Sequence, residues 1–257
     1  MKQILIAGEV GPAGEALAKR FLDKGWRVGV ISDDAPALVN LYEQNPGPLL
    51  WTCEVEPSNA EDVRSAISAF ARDGGGYLHV LFVNATIAYP GPFERTSAVD
   101  HQRVLERNLS LALHAAHAAY RYLRVTPSAH MITMSTLSSL YGVPEYASYA
   151  AGRAAVRALT ESLTMEWRQY DIRVSDVMPP VLHPGDYVEG GAKPAGLAAR
   201  LGRRVGPDLL ARLVWSRVHD ERLPADAASA LFQSGQALNR LLPSGVQRFL
   251  VRRLSGL

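Results

Sequence analysis

Three side chains in one stretch have the types and spacing for proton chemistry. Thr136 ends an apolar run, Tyr149 stands thirteen residues on, and Arg153 follows four residues later. From Tyr146 to Arg168 the chain is rich in Ala and Leu and contains no Pro, which predicts one continuous helix. Residues four apart share a helix face, so the Tyr149 hydroxyl and the Arg153 guanidinium should project from the same side. A cation held beside a phenol favours the phenolate, which makes Tyr149 a candidate proton donor or acceptor near neutral pH. The Thr136 hydroxyl could then orient a substrate oxygen toward it. Tyr and Arg at this spacing also occur as plain packing on helix surfaces, so on these residues alone both readings stand.

The elements that must position them can be read from the apolar pattern. Short runs rich in branched residues predict strands at Gln3–Ala7, Trp26–Ile31, Leu49–Val55, Leu78–Val83, His130–Ser135 and Ile172–Met178. Between them, helical spacing predicts helices at Glu15–Lys24, Ser58–Ala71, Ala98–Leu123 and Tyr146–Arg168, with Ser58-Asn59-Ala60-Glu61 shaped like a capping box. Alternating strands and helices imply an α/β fold, a Rossmann-like doubly wound parallel sheet flanked by helices. Such sheets bind ligands at the carboxyl ends of their strands. Gly8 to Gly14, Asp33, Asn84 to Thr86, Thr136 and Pro179 to His183 all fall there.

The first of these clusters joins a strand to a helix through Gly8, Gly11, Pro12 and Gly14. In that context a glycine-rich turn can hold a dinucleotide pyrophosphate at the helix N-terminus. Ser32-Asp33-Asp34 ends the second strand, where an acid can accept both ribose hydroxyls and repel a 2′-phosphate; this favours NAD over NADP. The alternative is that Asp33 or Asp34 caps a helix starting at Ala35-Pro36.

Composition narrows the function classes. The 257 residues are 47% apolar and 20% charged, with a net charge of +2, which suits a packed α/β domain and gives no reason to expect nucleic acid as a partner. The lone Cys53 forms no internal disulfide and supplies no cysteine metal site. His114 and His117 sit among Ala residues with no acid near them, so no metal site is expected. No apolar run reaches the ~20 residues of a membrane span, and the short apolar start is no signal peptide; a soluble, cytoplasmic protein is expected. From Leu182 onward eleven Lys/Arg face six Asp/Glu, so the basic excess lies in the last third. There residues 184–205, rich in Gly, Ala and Pro, read as a substrate-covering segment. Residues 244–254 read as an amphipathic helix, packed on the body or a neighbouring subunit, or lying on a membrane surface. The reading is thus one domain, with a core at 1–183 and a lid and C-terminal helices at 184–257.

At this point the chain resembles the short-chain dehydrogenase/reductase superfamily over about residues 3–183. The resemblance implies a tetrad of Asn108, Thr136 in the Ser position, Tyr149, and Arg153 in the Lys position. It implies cofactor contacts at Gly8, Gly11, Pro12, Gly14, Asp33, Asn84 and Ala85. The implied activity is NAD(P)-dependent hydride transfer on an alcohol or carbonyl, with Tyr149 as acid/base, a small-molecule substrate, and assembly as a homo-oligomer, dimer or tetramer. The departures are Pro12 for a Gly, Thr86 for a Gly, Pro180 for a Gly, Glu54 for an Asp, and Arg153 for the Lys. Arg153 beside Tyr149 is similar to the halohydrin dehalogenases of this fold, which bind no dinucleotide; that implies a cofactor-independent lyase as an alternative. A third expectation is a non-catalytic relative paired with an active homologue.

Overall fold

The computed structural model describes residues 1–85, 87–140, 142–179, 207–221 and 245–246. Six strands form one parallel sheet: β1 (Gln3–Gly8), β2 (Arg27–Ser32), β3 (Leu50–Glu54), β4 (Val80–Asn84), β5 (His130–Met134) and β6 (Arg173–Val177), in the order β3-β2-β1-β4-β5-β6. Every pairing is parallel, with Ile4 opposite both Val28 and Val80. The order reverses between β1 and β4, which opens a crevice at their carboxyl ends.

The sheet is buried on both faces, which explains why its strands read as continuous apolar runs. On one face Leu5, Ala7, Ile31, Leu81, Val83, Met131 and Val174 meet α3 (Ala60–Asp73), α5 (Leu111–Leu123) and α6 (Ala147–Glu166). On the other, Ile4, Ile6, Val28, Val30, Phe82, Ile132 and Val177 meet α1 (Pro12–Asp23), α2 (Ala35–Gln44) and a further helix, α7 (Asp208–His219). Residues adjacent in a strand go to opposite layers, as the two-residue period of a strand requires.

Several boundaries differ from the sequence reading, each for a local reason. Helix α1 starts at Pro12, three residues earlier than expected, because proline suits the first helical position, where its missing N–H costs nothing. At α3 the cap is Asn59, whose side chain accepts from the backbone N–H groups of Glu61 and Asp62; Ser58 instead bonds Glu56. The helix expected over Ala98–Leu123 is continuous but carries a π turn at Glu106–Ser110 between α4 (Ala98–Leu105) and α5. Helix α2 is the helix that the capping alternative places at Ala35-Pro36, with Asp34 as its cap, and α7 falls in the region expected to hold C-terminal helices, where the sequence reading sets no bounds. Leu210, Ala211, Val214 and Val218 bury the face of α7 that packs beside α1. The expected covering segment at 184–205, Thr86 and Pro180 lie outside the described residues, as does the 244–254 helix apart from Gly245 and Val246.

Candidate active site at the carboxyl ends of the strands

The crevice begins at the turn after β1. Gly8 has φ +124°, and a Cβ there would sit 2.7 Å from the Asn84 carbonyl group. Only glycine fits both conditions. Gly14 lets the first turn of α1 approach, since a Cβ would come within 2.6 Å of the Glu9 carbonyl oxygen. Asn84 fastens this turn to β4: its Nδ2 donates to the Glu9 carbonyl at 2.7 Å and its own carbonyl accepts from the Glu9 N–H at 2.9 Å. Asn84 is therefore a buried strut between two strand ends. Gly11, the N-cap of α1, has no side chain to cap it, so the positive end of the helix dipole faces this turn.

The two acids after β2 take different partners. Asp34 caps α2, accepting from Ala37 N at 3.0 Å. Asp33 pairs with Arg107 of the π turn, whose Nε donates to its carboxylate.

The exit of β4 is held from both sides. Asn108, completely buried, accepts from Ile87 N at 3.0 Å and donates to Ile87 O at 2.7 Å. Arg153, 2% exposed, donates through Nη2 to the Ala85 carbonyl and through Nη1 to the Met134 carbonyl at 3.1 Å. One guanidinium thus bridges the end of β5 to the segment leaving β4. Two expected tetrad members are therefore scaffold for the backbone on either side of residue 86. Gly152 of α6 lies beside Asn108: a Cβ there would meet the Asn108 side chain at 3.6 Å, an ordinary packing contact.

Tyr149 and Arg153 do share a face of α6, and the guanidinium carbon lies 5.3 Å from the centre of the Tyr149 ring. Tyr149 belongs to a small cluster with Ala88, Val104, Val143 and Tyr146, against which Tyr89 packs. Its ring meets Tyr146 edge-on at 6.3 Å. The Oγ1 of Thr136 is buried and has no hydrogen-bond partner among the described residues, although neighbouring Ser139 bonds both the Thr136 carbonyl and Ser135. A buried hydroxyl without a partner is costly unless a ligand supplies one.

Other reactive groups point away from chemistry. Burial, and then Asp62 and Glu54, push the Cys53 thiol up from its ordinary value, which keeps it protonated. His114 bonds the Pro57 carbonyl at 3.0 Å, and no metal-binding cluster occurs among the described residues.

The sequence model of the short chain dehydrogenase family matches residues 2–188. The chain belongs to that family. An uncharacterized oxidoreductase of Thermotoga maritima is 26% identical over 86% of this chain and 84% of its own. The L-fucose dehydrogenase of Oryctolagus cuniculus is 29% identical over 69% of this chain but 62% of its own, so the match spans less than two thirds of that enzyme. A crystal structure of NAD+-bound xylitol dehydrogenase superposes with a TM-score of 0.64 at 25% identity, covering 72% of each chain. No helix among the described residues of this short chain dehydrogenase is long and apolar enough to cross a membrane.

Sequence reasoning missed Arg107 and the aromatic wall of Tyr89 and Tyr146. Arg107 precedes Asn108 on the same helix, but nothing in spacing joins it to Asp33, which lies 74 residues away. Tyr146 was in plain view three residues before Tyr149; only its contact with the Tyr149 ring gives it a place in the site.

Proposed function

We propose that this short chain dehydrogenase is a nicotinamide-dependent oxidoreductase that interconverts an alcohol and a carbonyl compound, with Tyr149 as the acid/base. The observation that carries this reading is the buried, unpartnered Oγ1 of Thr136 on the strand end next to the helix that bears Tyr149. A substrate oxygen would satisfy it.

The crevice residues fit a dinucleotide. Gly8 and Gly14 keep the backbone bare where a pyrophosphate would approach, and the uncapped N-terminus of α1 favours its charge. Asp33, the first residue after β2, would be the acid that meets the adenosine ribose. When bound, the nicotinamide supplies hydride exchange with the carbinol carbon. The chain's own groups handle the rest. Thr136 donates a hydrogen bond that orients the substrate oxygen, and Tyr149 gives that oxygen a proton in reduction or takes one in oxidation. Arg153 acts as a positioning residue. It faces the Tyr149 ring and fixes Ala85 and Met134 about it. Tyr89 and Tyr146 set an apolar, aromatic wall beside Tyr149, which suits a substrate with a hydrophobic body.

The reading is tested by following nicotinamide absorbance with NAD(H) and NADP(H) against a panel of secondary alcohols and ketones. Turnover that vanishes in Tyr149→Phe supports it. Turnover unchanged in Tyr149→Phe refutes the assigned role. If no dinucleotide is used, but haloalcohols release halide in an Arg153-dependent way, the lyase alternative takes its place.

A further inference from the structure

Asp33 does not meet the crevice alone. It is the first residue after β2, and its neighbour Asp34 is committed to capping α2. Arg107 reaches Asp33 from the π turn, and the two side chains remain 22% and 27% exposed, so both are open to a ligand. The placement of Arg107 is built in. Asn108, the next residue in the same π turn, is buried and fixed by two hydrogen bonds to Ile87.

A lone carboxylate at this point accepts ribose hydroxyls and repels a 2′-phosphate. A guanidinium does the opposite, since its planar fork matches phosphate oxygens. The pair together carries no net charge. We infer that Arg107, through its ion pair with Asp33, is a specificity-determining residue for the nucleotide: the adenosine ribose meets the pair, and the 2′-phosphate of NADP is admitted where Asp33 alone would reject it. This rests on the dinucleotide reading of the same crevice. With NAD the ribose hydroxyls share Asp33 with Arg107. With NADP the guanidinium turns from the carboxylate to the phosphate, a partly exposed pair being weak enough to be exchanged.

The test is a set of fluorescence titrations with NADH and NADPH on the wild type, Arg107→Met, Arg107→Lys and Asp33→Asn, read as the ratio of the NADPH Kd to the NADH Kd. The wild type should bind both within about tenfold of each other, and Arg107→Met should raise the ratio by ~10-fold or more, chiefly by weakening NADPH. Arg107→Lys should fall between, because it keeps the charge and loses the fork. Asp33→Asn should move the ratio the other way. A ratio unmoved in Arg107→Met overturns the inference while leaving the dinucleotide reading intact. That includes the case where both cofactors simply bind tighter, which would make the pair a plug in the slot. Binding of neither cofactor by the wild type overturns both.

Discussion

Arg153 occupies the position where a lysine would reach toward the crevice, and it is nearly fully enclosed instead. Its guanidinium spends two donors on the Ala85 and Met134 carbonyls. A lysine is a point charge on a flexible stem and cannot span two fixed acceptors in the same way. Arg153→Lys should therefore cost stability, about 2–4 kcal/mol, because at least one buried carbonyl is left without its charged donor. Chemical denaturation measures this, and a variant as stable as the wild type would show that the bridge carries no weight. Thr136 makes the complementary case. Its buried hydroxyl has no partner among the described residues, so Thr136→Val should leave the melting temperature unchanged or raise it while activity falls by about 10²-fold, for want of the hydrogen bond to the substrate oxygen. A variant that loses stability along with activity would point to a structural hydroxyl. Tyr149, Arg153 and Thr136 were legible in the sequence because they lie within eighteen residues of each other. The structural work of Arg153 was not, because its acceptors are backbone atoms, and backbone atoms leave no mark in residue types.

At the scale of elements, the site depends on close approaches between the ends of β1, β4 and β5. Gly14 is where α1 meets the turn after β1 most tightly. In Gly14→Ala the new Cβ faces a backbone oxygen at 2.6 Å, which cannot swing aside as a side chain would. The expected result is a loss of about 1–3 kcal/mol by denaturation, together with weakened dinucleotide binding, as α1 is pushed off the turn. A stable variant that binds NADH normally would show that the close approach does not matter. The π turn at Glu106–Ser110 is the second such device, turning Asn108 inward to Ile87. Helix existence was readable from periodicity over Ala98–Leu123, but the π turn was not. A π turn is defined by its i→i+5 backbone bonds, which residue types do not mark. The glycine spacing was readable for the opposite reason, since residues without a Cβ mark close backbone approaches. The bounds of helix α7 escaped notice because its apolar face lies in a stretch of basic residues preceded by Gly and Pro, where the pattern looked irregular.

For the whole molecule, burial reaches a titratable group far from the site. His130 opens β5 at the opposite end of the sheet, 2% exposed, with Nε2 on the Ser175 hydroxyl at 2.8 Å. Burial, followed by the nearby charges of Arg173 and Arg217 and opposed only by Asp220, lowers its pKa from 6.5 to about 3. The folded chain therefore prefers neutral imidazole, and the unfolded chain takes up the proton first as pH falls. Stability from this group is complete above about pH 6.5 and is lost as the pH drops toward about 3, an effect on the order of several kcal/mol. Denaturant unfolding between pH 7 and pH 4 should show this slope, and His130→Gln should flatten it. An unchanged slope would assign the acid sensitivity to other groups. The parallel sheet with helices on both faces and the placement of Gly8, Asp33, Asn84 and Thr136 at strand ends were legible from the sequence, because strand and helix alternation leaves few topologies; the strand order itself came from the structure. The pairing of Asp33 with Arg107 was not, since it exists only once β2 and the α4–α5 helix are folded together. The central claim, that this crevice serves nicotinamide chemistry at Tyr149, is tested most directly by titrating the wild-type protein with NADH and NADPH and following nicotinamide fluorescence. The account predicts saturable binding, with a Kd on the order of micromolar for at least one of them. No binding at cofactor concentrations on the order of millimolar would contradict it.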